Sequence, residues 1–372
     1  MSYSLSTLWH ERQRYLPGIL AVGFSALLIA LQCGLLLGLF GVSSMPVDRN
    51  KADVWMGAPG VLSVDLGRPI REGYVARMAA QPEIERCEVY LQGFSYWAKK
   101  TGATELCMVI GSRLSEDSLG AIDALTPEHR ALLTEPGTIV IDESDRERLG
   151  VSGIGDVAEV SWNRVKVVGM TKGVKSLAGP FVFCSINTAR PLLRYLPDQV
   201  TYVIGKTRTP EGADRAVERL KAQYENITAF TAPSFSRQSQ WHWLTKTKAG
   251  LALGYAALLG LLVGAVVTSQ TLYAATAASM REFAVLRALG IPWWRMGAMV
   301  MSQAFWIGVI GITLALPALF GARALAEYLT VSVILPPRLL LATVAITLVM
   351  ALVSGLAALR SLNNVEPATL LR

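Results

Sequence analysis

Charge is scarce in this chain. Asp, Glu, Lys and Arg supply 17% of its 372 residues, where soluble domains carry about a quarter, and the mean hydropathy is +0.39. A wholly soluble enzyme is therefore disfavoured. Histidine and cysteine are scarcer still, at three and four residues. His10, His129 and His242 are scattered and assemble neither a triad nor a metal motif. Cys33 lies in an apolar run, while Cys87, Cys107 and Cys184 lie outside it without any CxxC spacing. A Cys87 to Cys107 bridge is possible in an oxidising compartment, but it leaves one cysteine over. A phosphate loop is missing too. The nearest signal is Gly205, Lys206 and Thr207, and Val200 stands where its first glycine would be. The chain is not expected to hydrolyse ATP, nor to bind a cofactor or metal itself.

What the sequence has is long apolar runs. A membrane helix needs about 20 apolar residues, since a rise of ~1.5 Å per residue must cross ~30 Å of hydrocarbon. Four stretches qualify, at 16–42, 249–275, 296–320 and 339–359, and their central parts contain no Asp, Glu, Lys or Arg. They are apolar on all sides, whereas helices of a soluble bundle would show polar faces. The lack of intramembrane charge also disfavours an ion-coupled carrier. Gln32, Gln270 and Gln303 are the polar groups at depth, and interhelical hydrogen bonds would account for them. Glycines spaced by four, Gly34 with Gly38, Gly250 with Gly254 and Gly260 with Gly264, are candidates for close helix packing, within one bundle or between copies.

Arginines in the short flanks set the orientation. Arg12, Arg14, Arg281, Arg287, Arg295, Arg360 and Arg372 fall on one side, against Arg323 and Arg338 on the other. Both termini are thus expected in the cytoplasm, with 43–247 and a loop at 321–338 facing outward and a tail at 360–372 facing inward. The first run is longer than a signal-peptide core, which favours an uncleaved anchor. Pro46, Trp55, Trp241, Trp243, Trp293 and Trp294 fall near span ends, where indoles sit at headgroup depth; Trp55 also reads as core.

The 43–247 segment holds 25 Lys plus Arg and 24 Asp plus Glu, so +6 of the chain's +7 belongs to the membrane part. The basic balance therefore reports topology and does not point to nucleic acid. Short β-rich runs at 138–141, 158–160, 165–168, 181–183 and 200–204 alternate with helical patterns such as 211–224. The expected fold is an integral membrane α-helical protein of four transmembrane helices, with a large mixed α/β extracytoplasmic domain between helices 1 and 2.

The most informative segment is 279–294, SMREFAVLRALGIPWW. Phe283, Leu286 and Leu289 make an apolar stripe, Arg281, Glu282 and Arg287 flank it, and Gly290 with Pro292 ends the helix. The pattern alone fits a helix lying on lipid. The amino-terminal stretch at 1–15, with Leu5, Leu8 and Trp9 in line with Leu16 on one side, reads as a second interfacial amphipathic helix, with contact to a cytoplasmic partner as the alternative.

The Arg-Glu pair followed by Leu-Arg-Ala-Leu-Gly at 286–290, placed between two spans, resembles the signature of FtsX-type ABC permeases, the group that includes MacB, LolC and DevC. Leu149-Gly150, Gly155-Asp156 and 165–169 resemble the family's strand region, and 367–372, PATLLR, its terminal motif. Ala284 and Pro292 depart from the family pattern, and the amino-terminal stretch with Arg12, Arg14, Phe24, Gln32 and Gly34 is closer to DevC. The resemblance implies a bacterial inner-membrane permease that dimerises and binds two copies of a separate ATPase, on which ATP and Mg would sit. By position, Arg281, Glu282, Phe283, Leu286, Arg287, Leu289 and Gly290 would be the coupling surface. It also implies a periplasmic membrane-fusion adaptor, with an outer-membrane channel as a further partner, and export of a lipidic or amphiphilic substrate. The same family contains regulators that gate a cell-wall hydrolase and permeases that release lipoproteins. The span at 296–320, interrupted by Pro317, is a plausible lever.

Overall fold

A computed structural model describes residues 10, 12–174, 179–246, 248–278, 292–328, 331 and 333–362. The chain divides into two compact units, residues 39–248 and the remainder. Among the described residues, four helices are long and apolar enough to cross a membrane. These are α1 (Arg12–Asp48), α8 (Ala249–Ala278), α9 (Trp293–Tyr328) and α10 (Pro337–Leu362). α1 contributes residues to both units. Four apolar helices with a mixed α/β domain between the first two match the fold class expected from the sequence.

Several helix ends differ from the apolar runs. α9 continues to Tyr328, into the segment expected as loop, and Pro317 lies inside it without ending it. Neighbouring groups in a membrane bundle can satisfy the carbonyl that proline leaves without a donor. The structure therefore corrects the reading of Pro317 as an interruption. Residues 12–15 are the first turn of α1 rather than a separate amphipathic helix, and residues 1–9 lie outside the described residues.

The 39–248 unit is built on one strand. Its elements run β1 (Val54–Gly57), β2 (Ile70–Arg71), α2 (Tyr74–Ala79), β3 (Ile84–Ala98), β4 (Thr104–Ser112), α3 (Pro127–Leu132), β5 (Thr138–Asp142), α4 (Arg146–Leu149), β6 (Val157–Val160), β7 (Asn163–Thr171), β8 (Phe181–Ser185), α5 (Ile186–Leu193), β9 (Gln199–Val200), β10 (Tyr202–Thr207), α6 (Gly212–Gln223), β11 (Thr228–Thr231) and α7 (Ala232–Lys246). The large sheet has the order β11-β1-β10-β3-β4-β8-β5-β7-β6. The first half of β3, from Ile84 to Tyr90, pairs with β10, and the second, from Leu91 to Ala98, pairs with β4. β6 then pairs back on Trp97 and Ala98, closing β3, β4, β8, β5, β7 and β6 into a ring. One strand thus belongs to both an open sheet and a closed one.

Local chemistry explains the pieces. In α6, Ala213, Ala216, Val217 and Leu220 recur at helical spacing and are buried. Leu149 is buried and Gly150 follows it at φ 67°, the left-handed cap that ends α4. Ser161 and Trp162 form the two-residue β6–β7 turn with φ of 46° and 69°. That turn type needs positive φ at both positions, a conformation unusual for tryptophan. Gly205 to Thr207 lie on β10, where Lys206 Nζ meets Asp53 Oδ1 at 2.9 Å.

The core centres on Trp55, fully buried between Tyr90, Tyr202 and Phe235 at centroid distances of 5.2, 5.4 and 5.7 Å. Its role is core, which removes it from the span-end indoles. Trp97 is buried too, and its indole N–H donates to Leu149 O at 3.0 Å. All four cysteines are free thiols. Cys87 and Cys107 face Gly205 and Ser95 on neighbouring strands, so the optional bridge is not formed. Burial pushes the Cys107 thiol up to about 12.

The Tyr90 hydroxyl is buried without a hydrogen-bond partner among the described residues, and burial raises its pKa. Removing an unpaired buried hydroxyl costs nothing, whereas truncating a buried indole costs about 3–5 kcal/mol. Thermal melts of the full chain should show Tyr90→Phe at or above wild type and Trp55→Ala far below it. A Tyr90→Phe protein as damaged as Trp55→Ala would contradict this packing.

Candidate functional site

The candidate site is the bundle of four apolar helices, because the segment expected to couple the chain to a partner lies between two of them. Lipid tails give helices no hydrophobic reason to associate, so close approach and hydrogen bonds must hold them. The expected glycines divide accordingly. A Cβ on Gly260 would lie 2.9 Å from Leu28 Cδ1, and one on Gly264 would overlap Ser25. Ser25 Oγ in turn donates to Gly260 O at 2.8 Å, so this pair seats α8 against α1 within one chain. Gly34 packs against Val333 and Leu335, and its carbonyl accepts the Ile334 N–H at 3.1 Å. Gly38 and Gly250 are buried. A Cβ on Gly254 would meet no described atom within 4 Å, so Gly254 does not seat one helix on another within this chain, and its packing between copies stays an expectation.

A further close crossing involves glycines that no spacing rule singled out. A Cβ on Gly23 would lie 2.9 Å from Gly311 O, and one on Gly311 would lie 2.9 Å from Ile19 O. Both obstacles are backbone atoms, which cannot swing aside as a side chain can. Each stands among several glycines in its span, with no partner at spacing four to single it out. α10 joins through Ser354, whose Oγ donates to Ala265 O at 3.1 Å. The glutamines behave otherwise. Gln32 Oε1 is buried without a partner among the described residues, and Gln270 borders an open groove of about 300 Å³ with Ala265, Ser269, Val353 and Ser354.

At the other end of α1, Arg14 reaches across to α8. Its Nη2 donates to Ala274 O at 3.1 Å and to Ala275 O, close to Ala278, the last described residue of α8. A cation bonded to carbonyls toward the carboxyl-terminal side of a helix suits the helix dipole. Arg14 thus fixes α8 just before the 279–291 segment. The residues expected to form the coupling surface, Arg281, Glu282, Phe283, Leu286, Arg287, Leu289 and Gly290, lie outside the described residues.

Overpacking a tight contact costs about 1–3 kcal/mol. Gly23→Ala and Gly311→Ala should each lower the melting temperature of the detergent-solubilised chain, while Gly254→Ala should leave it unchanged. Equal melting of all three would contradict the α1–α9 crossing.

Residues 254–367 match the family model described as the FtsX-like permease C-terminal. No curated protein matches the chain. Among solved structures, the periplasmic region of MacB from Actinobacillus actinomycetemcomitans is 10% identical, with a TM-score of 0.35, covering 51% of this chain and 94% of that one. The extracellular domain of the noncanonic ABC-type transporter YknZ from Gram-positive bacteria is 11% identical, with a TM-score of 0.32, covering 48% and 98%. The chain is a membrane protein, with four helices among the described residues long and apolar enough to span, and residues 254–367, which take in most of α8 and all of α9 and α10, are similar to the FtsX-like permease C-terminal.

Proposed function

We propose that this chain is the permease subunit of an ABC transporter, driven by a separate ATPase and working as a dimer. The observation that carries the reading is the FtsX-like match across 254–367, which includes the charged and apolar pattern of 279–294. Phe283, Leu286 and Leu289 supply apolar knobs for a groove on the ATPase, with Arg281, Glu282 and Arg287 fixing orientation. ATP and Mg belong to that partner. Closure of the ATPase dimer moves this segment, and Arg14 passes the movement from the end of α8 to α1. The response is a rigid-body shift of packed helices. The termini lie in the cytoplasm of a bacterial cell whose inner membrane the chain spans, and the 39–248 unit faces the periplasm. There it works with a membrane-fusion adaptor to export a lipidic or amphiphilic substrate, in the manner of the DevC-like subgroup.

Reconstitution with the partner ATPase tests the coupling. Glu282→Ala, Phe283→Ala and Leu286→Ala should each weaken ATPase binding, by about tenfold or more where an anchor is lost. Arg14→Ala should leave binding intact and lower the stimulated turnover. Unchanged binding and turnover in all four variants would overturn the assignment.

A further inference from the structure

The loop 58–68, between β1 and β2, is pinned from the inside. Val61, Ser63, Val64 and Asp65 are buried. Gln238 Nε2 on α7 donates to Val61 O at 2.8 Å, and the Val64 N–H donates to Ser239 Oγ at 3.0 Å. The Trp243 indole N–H donates to Asp65 Oδ1 at 3.2 Å, and the Tyr202 hydroxyl to Val64 O at 2.8 Å. Arg68 closes the loop on Pro59 O. These bonds leave two leucines pointing away from the core, Leu62 at 50% and Leu66 at 41% exposure, and on α7 Trp241 is 66% exposed. A fixed loop that displays leucines to solvent would waste apolar surface, and a second medium would recover it.

Chain length and charge identify that medium. α7 ends at Lys246 and the membrane helix α8 begins at Ala249. Trp243, which holds Asp65, therefore precedes the span by six residues. At ~1.5 Å per helical residue, or at most ~3.6 Å when extended, that is about 9–20 Å of chain, comparable with the headgroup layer beyond the hydrocarbon. In 58–68 and 232–248 the basic residues Arg68, Arg237, Lys246 and Lys248 are exposed, while the one acidic residue, Asp65, is buried.

We propose that loop 58–68 is a membrane-surface contact, with Leu62, Leu66 and Trp241 seated in the headgroup layer of an anionic bilayer. Leucines supply the apolar insertion, the indole suits the interface, and the four cations meet anionic headgroups. The contact would hold the 39–248 unit at a set height on lipid. It stands apart from the ATPase reading, which turnover tests and lipid contact does not.

The test uses the full chain in nanodiscs of phosphatidylglycerol and phosphatidylcholine that contain spin-labelled lipid. With Cys33→Ala and Cys87→Ala as background, a fluorophore is attached at Leu62→Cys, at Leu66→Cys and, as a control, at Leu132→Cys. Leu132 lies on α3 and is 48% exposed. Spin-labelled lipid should quench positions 62 and 66 several-fold more than 132, and less so when phosphatidylglycerol is withdrawn. Equal quenching at the three positions would overturn the proposal and leave the leucines to a protein partner.

Discussion

Hydrocarbon cannot hydrogen-bond a peptide group, and much of this structure follows from that. Each backbone N–H and C=O in the membrane must be satisfied within its own helix, so the apolar runs have no alternative to α-helix. The same medium removes the hydrophobic reason for helices to associate. What remains is close packing and a few directed bonds, and the bundle uses both. Gly23 meets Gly311 backbone to backbone, Ser25 bonds Gly260, Ser354 bonds Ala265, and Arg14 holds the end of α8. Contacts made of short side chains leave little slack between helices. Such a bundle responds to force at one end by shifting whole helices rather than by bending locally.

Outside the membrane the constraint reverses. Water competes for each hydrogen bond, so the 39–248 unit depends on burial around Trp55, Tyr90 and Tyr202 and on a strand long enough to serve two sheets. Glu88 and Ser95, buried along β3, are satisfied by distant partners, while the Gln92 side-chain oxygen has none among the described residues. Glu88 accepts from Ser118 Oγ and the Leu119 N–H, and Ser95 Oγ donates to Leu192 O. Thr201 bonds both the N–H and the C=O of Gln92.

Those partners explain what the sequence did and did not disclose. The four spans were legible because a run of some twenty apolar residues has one physical reading. Strands β5 to β8 were legible as short apolar stretches between turn signals. β3 was not, because Glu85, Arg86, Glu88, Gln92 and Ser95 interrupt its apolar pattern, and the groups that satisfy the buried ones lie far away in the chain. Its closure with β6 is likewise a long-range event that no local pattern encodes. Trp55 had two readings from sequence, interface or core, and only its neighbours decide. In the bundle, Gly260 and Gly264 were readable from spacing, while Gly23 and Gly311 act across two helices and have no spacing to read. The coupling surface rests on the pattern of 279–294 and on the family match.

The central claim is that the motor lies in another chain. The most direct measurement is affinity capture of the intact protein from its native membrane in mild detergent, with mass spectrometry and an ATPase assay on the eluate. The account predicts an ABC ATPase at near-equal amount, with turnover inhibited by vanadate, and an adaptor protein alongside it. Recovery of the intact, folded protein with no ATPase and no vanadate-sensitive turnover would contradict it.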